Sequence, residues 1–546
     1  MQKNLQDSLI TIIAKCLKSL NLQEGISEGI YLDLPADSRF GDLSTNIALR
    51  LSRKVKRPPL EIATSILSEL NKYLSDNPLE DLFKEIKIEG PGFINFYFKE
   101  SYFYEQLKGI VKQGSDYLKS DIGRSRKVVI EFVSANPTGP LSVAHARQAV
   151  VGDVLANIFN FSGFKVKREY YLNDEGNQIT LLGKSVELRL NELSGEKIDF
   201  PDNYYQGDYI YSIARQAQQE KVRSDSLGDF AADYILETIK KELDDFGVRF
   251  DCWYSQKELA KSGKIKEALE LLKEKGFLYE EGGASWFKSR QFGDDKDRVV
   301  IKSDGSYTYL TPDIAYHLDK YKRGFSWLIN LWGPDHHGYI NRLKAAVTAL
   351  GKDPKSLSII VVQLATIFRE GKPIQMSTRK GQYITLKEIL DEVGPDASRF
   401  FFLMRHTESH LDFDLDVAKK QTAENPVYYV QYAHARISSI LRQVAVKLNP
   451  EELGLQVLKE KEEIDLIKKL LQFSYIIDIC IQALDPYMVT VYLQELSEAF
   501  HRFYDRHRVL SQDAQLSQAR LVLVQATQSL LATGLSLLGV SQPDKM

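Results

Sequence analysis

The stretch KVVIEFVSANPTGPLSVAHAR, Lys127 to Arg147, decides the fold. Its first part, Val128-Val129-Ile130-Glu131-Phe132-Val133, is a short apolar run bounded by turn residues, the pattern of a strand covered on both faces of a parallel sheet. Pro137, Gly139 and Pro140 then break the chain. From Ala144 a helical pattern runs through Val150, Val154, Leu155 and Ile158 and stops at Ser162-Gly163. Strand, loop and helix in that order open a doubly wound α/β domain, in which ligands sit outside the carboxyl ends of the strands. Backbone N–H groups at the start of the helix, with the imidazole of His145 beside them, suit a phosphate. Taken alone, a histidine there is better explained as a cap.

The same pattern returns downstream. Val299-Val300-Ile301, Trp327-Leu328-Ile329 and Ser358-Ile359-Ile360-Val361-Val362 are further strand candidates for the parallel sheet. Between them and the first unit, residues from about 175 to 290 read as a charged helical insertion. Residues 1–115 alternate helical stretches with short strands, including the run around Gly90-Pro91-Gly92, and form a separate α+β domain. Residues 116–411 then make the Rossmann-like domain, and residues 412–546 an all-helical one. A length of 546 residues accommodates these domains, since domains run to roughly 100–200 residues each.

A formal charge of -3 excludes a strongly basic nucleic-acid binder, so any basic footprint is local, as in Arg50, Arg53, Lys54, Lys56 and Arg57. Cys16, Cys252 and Cys480 are scattered, which argues against a disulfide framework or zinc site and for a reducing compartment. The first twenty residues lack signal-peptide character, and no apolar run is expected to reach the length of a membrane span. The expectation is a cytoplasmic protein with no membrane contact.

Three further groups carry chemistry. Gln375-Met376-Ser377-Thr378-Arg379-Lys380-Gly381 is a polar loop with adjacent cations, suited to follow charge on transferring phosphates. Gly333-Pro334-Asp335-His336-His337-Gly338 follows an apolar run, and its histidine spacing fits no metal site. In Tyr307 to Tyr316, Tyr309 and Asp313 can direct a phenol and a carboxylate toward one pocket. Each has a bland reading: a solvated turn, a structural loop, a helix start.

In order along the chain, these groups resemble the blocks of arginyl-tRNA synthetases, class I enzymes, over nearly its full length. Tyr171 to Gln178, Asn425 to Tyr432 and Leu537 to Met546 match as well. The resemblance implies ATP-dependent activation of L-arginine and transfer to the 3′ end of tRNA-Arg, with Mg2+ accompanying ATP and no resident metal. It places the arginine on Glu131, Asn136, Tyr309, Asp313 and Gln363, all chemically suited to a cationic side chain. It places ATP on Ser142, Ala144, His145, Gly333, Asp335, His336, Met376 and Ser377, with His145, Ser142, Lys127, Arg379 and Lys380 as the catalytic set. It assigns Tyr429, Tyr432, Tyr504 and Met546 to the anticodon and the N-terminal domain to the tRNA elbow, in a protein expected to be a monomer.

The tetrapeptide Ser142-Val143-Ala144-His145 departs from the family's HIGH motif, with serine for the first histidine and alanine for the glycine. Those two departures define an alternative expectation: a paralogue that binds arginine and tRNA but has lost or altered adenylation.

Overall fold

The computed structural model describes residues 2–22, 29–35, 37–75, 77–374, 383–444 and 454–546. At its centre lies a five-stranded parallel sheet, in the order Leu357–Val361, Trp327–Trp332, Lys127–Glu131, Lys165–Leu172 and Cys252–Ser255. Val128, Val129 and Ile130 have no exposed surface, as their apolar run requires. The strand ends at Glu131, two residues earlier than the apolar pattern suggests. The helix Val143–Phe161 packs across the sheet and is apolar nearly all round because it is covered on all sides.

Chain order runs from Lys127–Glu131 outward on one side and returns on the other through Trp327–Trp332. The strand order therefore reverses between these two neighbours. This is the place where an open α/β sheet leaves a crevice at its carboxyl edge.

Two sequence expectations are corrected here. The segment 175–290 is largely helical, through Leu227–Asp245 and again in Gln256–Lys261 and Lys264–Glu274, but between them Cys252–Ser255 joins the parallel sheet as its edge strand. Arg298–Ile301 does not enter that sheet but closes a small antiparallel one with Leu278–Glu281 and Ala284–Phe287. Apolar content could not distinguish these outcomes, because the half-exposed Cys-Trp-Tyr-Ser and the run Arg-Val-Val-Ile fit either kind of pairing.

The N-terminal residues pack the helices Gln2–Ser19, Ile47–Val55 and Pro59–Ser75 on an antiparallel sheet ordered Leu43–Thr45, Phe93–Phe98, Phe83–Glu89. The hairpin turns at Gly92, whose φ of 132° and 3.0 Å approach to the Pro59 carbonyl (measured from an added Cβ) both demand glycine. At the other end the helices Pro426–Arg442, Lys461–Leu471, Tyr487–Arg506 and Ala514–Leu538 form a bundle. Ala514–Leu538 corrects a third expectation: it is long and apolar enough to cross a membrane, yet 67% of its apolar window is buried as the bundle's core helix.

Arg399, fully buried, ties the domains together. Its guanidinium pairs with Asp153 of the central helix and donates to the carbonyls of Leu538 (2.7 Å) and Phe246 (3.0 Å), ends of a bundle helix and an insertion helix. Gly539 lies against it, where an added Cβ would fall 2.4 Å from a guanidinium nitrogen.

Candidate active site

At the point where strand order reverses, the structure opens a cavity of about 910 Å³. The backbone that shapes its mouth is strained. Val133 and Ser134 have φ of 66° and 41°, the left-handed region that a β-branched residue such as valine rarely enters. Such a conformation costs on the order of 1–3 kcal/mol and persists only where neighbours hold it. Here the next strand does: the Tyr171 N–H donates to Ser134 Oγ (3.1 Å), and the Tyr170 hydroxyl to the Ala135 carbonyl (2.9 Å). The turn explains why the strand stops at Glu131, and it sends Ser134 to Asn136 across the opening.

The floor is a series of paired polar groups. Glu131 is buried at the end of its strand and accepts from the ammonium of Lys320, which has no exposed surface. Lys320 also donates to Asn330 Oδ1 (3.3 Å), and Asn330 Nδ2 lies 2.9 Å from His317 Nε2. His317 Nδ1 sits 2.8 Å from the Asp313 carbonyl. A carbonyl only accepts, so Nδ1 carries the proton and Nε2 accepts from Asn330. Burial, and secondarily the ammonium of Lys320, holds His317 neutral, its pKa down at about 3. The Asp313 carboxyl accepts from the Tyr339 hydroxyl (2.6 Å). Burial raises its pKa to about 7, against the lowering effect of that bond, and the nearby Glu131 adds to the rise. A carboxyl group so poised invites a cationic partner.

The other end of the cavity is built from a helix start. Ser142 caps Val143–Phe161 and forms a capping box with His145: its N–H donates to His145 Nδ1 (3.1 Å). The imidazole therefore carries its proton on Nε2. Burial holds it neutral, with the pKa near 4 despite the opposing pull of Asp335. Opposite, Gly333 caps the short turn Pro334–Tyr339, where an added Cβ would meet Asp335 Oδ1 at 2.6 Å. Asp335 and His336 stand exposed on this turn, 3.5 Å apart. The bond from Leu386 N–H to the Leu141 carbonyl (2.8 Å), and that from Val143 N–H to the Ile384 carbonyl (3.3 Å), tie the segment before the helix Leu386–Phe402 to the helix start.

Glu131, Asn136, Ala144, His145, Tyr309, Asp313, Gly333, Asp335 and His336 thus line one cavity, Tyr309 as a 78% exposed residue of its rim. Ser142 stands behind the wall, acting through His145. Two expected residues do not fit. Gln363 is absent from the lining, although its neighbours Val362 and Leu364 contribute; its carbonyl instead accepts from the buried Arg147 (2.8 Å). Lys127 is exposed at the amino end of its strand, four residues from Glu131 and so about 13 Å from the site at strand spacing, too far to reach a phosphate there. Met376, Ser377, Arg379 and Lys380 lie outside the described residues. Sequence reading missed Lys320, Asn330, His317 and Tyr339. The one available signal was Asn330, a lone amide inside the apolar run Trp327 to Trp332, where a buried polar group needs partners.

In the helical bundle, the guanidinium of Arg436 lies over the rings of both Tyr432 (4.9 Å) and Tyr504 (4.7 Å). Tyr429 instead packs on His501, with ring centroids 4.9 Å apart. The tail is pinned along Pro426–Arg442 by His434 on the Pro543 carbonyl and Ser438 on Asp544, leaving Met546 half exposed. All four residues remain on the bundle surface or partly so.

Three family profiles match in succession: an arginyl tRNA synthetase N terminal domain at residues 7–98, a class I (R) tRNA synthetase catalytic domain at 106–438 and a DALR anticodon binding domain at 430–546. The arginine–tRNA ligase of Citrifermentans bemidjiense is 45% identical over 560 aligned positions, covering the whole of both chains. That of Geobacillus kaustophilus is 47% identical over 95% of this chain and 94% of its own. The arginyl-tRNA synthetase of Thermus thermophilus superposes with a TM-score of 0.78 over 99% of this chain and 100% of its own, at 21% identity, a likeness of fold. A catalytic-domain profile spanning more than half the chain, together with full-length relatives at this identity, shows that the chain belongs to the arginyl-tRNA synthetase family.

Proposed function

We propose that the protein is an arginine–tRNA ligase that activates arginine with ATP in the cavity at the switch point and passes it to tRNA-Arg. The observation that carries this reading is the pairing, in one cavity, of a carboxyl-bearing floor with a capped helix start. A guanidinium has five donors and no acceptor, so Asp313 and Glu131 suit it, with Asn136 and Tyr309 closing over the rest of the substrate. The helix start and the neutral Nε2–H of His145 suit phosphate oxygens, and Gly333 leaves room beside them. In the reaction the arginine carboxylate attacks the α-phosphorus of ATP and pyrophosphate leaves. A hydroxyl of the terminal tRNA ribose then attacks the activated carbonyl, and AMP leaves. No protein nucleophile is needed; orientation and fixed donors do the work. Magnesium would arrive with the ATP phosphates as part of that substrate.

The alternative of a paralogue without adenylation finds no support in relatives at 43–47% identity along the chain. The contact of the Ser142 hydroxyl with His145 Nδ1 (3.2 Å), beside the bond from its backbone N–H, supports a place for serine in holding the imidazole. We assign residues 1–115 to the tRNA elbow, 116–411 to catalysis and 412–546 to the anticodon, with Tyr429, Tyr432, Tyr504 and Met546 facing the RNA. The Arg436 pair supports a stacking surface at Tyr432 and Tyr504. A soluble, cytoplasmic monomer is the accompanying proposal. Charging of tRNA-Arg with labelled arginine by the unaltered chain tests the reading. Robust charging is expected, and failure to charge until Ser142→His and Ala144→Gly are introduced would refute it.

A further inference from the structure

The arginine-facing floor contains a cation. That is unexpected in a site meant for a guanidinium. Lys320 is fully buried on the helix Leu310–Lys322, seven residues and so about two turns from Asp313 on the same face. Its ammonium is bonded to Glu131 Oε2 and Asn330 Oδ1 and lies 4.1 Å from the centroid of the Tyr316 ring. It does not line the cavity, whereas its partners Glu131 and Asn330 do.

We propose that Lys320 is a positioning residue of the amino-acid subsite: bonded to one carboxylate oxygen of Glu131, it aims the other at the substrate, so that the pocket exchanges a single proton, that of Asp313, for a guanidinium. The proposal rests on the reading of Glu131 and Asp313 as the guanidinium acceptors.

Two neighbouring carboxyl groups in one pocket do not both ionise readily. Lys320 breaks that symmetry because, of the two carboxyl groups, it is bonded to Glu131 alone, while its charge acts on Asp313 only through space. Glu131 and Lys320 cancel, and Asp313 is left as the group whose charge is open to change. Burial and the proximity of Glu131 favour its protonated form, up to a pKa of about 7.

The surroundings leave few other candidates for that proton. On the helix itself His317 is held neutral, and Tyr316 donates to Glu169 (2.7 Å) of the strand Lys165–Leu172. Glu169 is in turn paired with Arg323. From the same strand Tyr171 faces Asp313 and Glu131, and burial raises it far above neutrality. Tyr339, before the helix Ile340–Ala349, is raised likewise and bonded to Asp313. Arg298, paired with Asp294, and Arg342 also line the cavity as permanent cations, and His145, neutral down to about pH 4, stands at the far end. The guanidinium of the substrate stays charged throughout.

The test is the pH dependence of L-arginine binding to the full chain, followed by calorimetry from about pH 5 to pH 8.5. The unaltered protein is expected to lose affinity about tenfold per pH unit below the neutral range, the slope of one proton released on binding. A slope near two protons would overturn the proposal without any variant. With Lys320→Met, arginine affinity at neutral pH is expected to fall about tenfold or more, and its decline to begin at higher pH with a steeper slope. ATP affinity should hold, and Lys320→Arg should recover much of the loss. A folded Lys320→Met protein with unchanged affinity and pH profile would refute the role of Lys320 while leaving the pocket assignment intact. Unchanged arginine binding in Asp313→Asn would instead remove the pocket reading itself, and the proposal with it.

Discussion

The two ends of the cavity are made of different material. Along the floor, Glu131, Lys320, Asn330, His317 and Asp313 are bonded in series on two strand ends and one helix, nearly all of them buried. At the phosphate end, one capped helix start faces an exposed turn whose Asp335 and His336 side chains are largely in solvent. The contrast follows the ligands. A guanidinium is rigid and planar, and acceptors for it are useful only if their positions are fixed before it arrives. A triphosphate is flexible, strongly hydrated and accompanied by a metal, so backbone donors at a helix start and mobile side chains suit it better. Strength at the floor comes from burial, and tolerance at the other end comes from exposure. Ser142 and Ala144 stand at the tolerant end.

The largest expected effect tests the floor. Asp313→Asn removes the acceptor for a charged partner and should raise the KM for arginine by about two orders of magnitude or more, roughly 3 kcal/mol, with the KM for ATP little changed. Equal losses on both substrates in aminoacylation assays would erase the distinction between the two ends. Next, Asn330→Leu leaves His317 and Lys320 each short of a partner inside the core. Thermal unfolding should show a loss of about 2–4 kcal/mol, and a neutral result would mean that the series is not rigidly held.

A smaller effect concerns stability and pH in Asp313→Asn. The folded-state pKa of Asp313 is raised to about 7 from an ordinary 3.8, so the native state holds a proton that the unfolded chain has lost. That favours the fold below pH 3.8, and the advantage is lost as pH rises through 7. Replacing the carboxyl should therefore stabilise the protein by roughly 1–3 kcal/mol at pH 8, an effect that shrinks toward pH 4. Melting curves at the two pH values decide it; no difference between them would show that the carboxyl is not poised by burial. Last, Ser142→Ala removes the capping hydroxyl and its contact with His145 while keeping the backbone bond, for about 1 kcal/mol of stability and a modest rise in the KM for ATP. A matching rise in the KM for arginine would show that the two ends are coupled.

Much of this could be read from residue order. The run Lys127 to Arg147 announces strand, break and helix because apolar period, proline and glycine act over a few residues, and the structure follows it closely. The sequence could not say that Val133 and Ser134 turn into the left-handed region, since the bonds holding them come from Tyr170 and Tyr171, some 35 residues away. Lys127 was misplaced for a similar reason. Nearness along a strand puts a residue at the wrong end of the sheet as readily as at the right one.

What residue order determined by itself was the existence of the sheet, the helix start and the carboxyl-bearing segment around Asp313, because each depends on local period and composition. Which strands are neighbours, and hence where the sheet reverses and opens, was decided by tertiary structure alone. So was the contact of Lys320 with Glu131 across 189 positions of chain. Pairing between distant segments depends on complementary shape and mutual burial, and these exist only after the chain has folded.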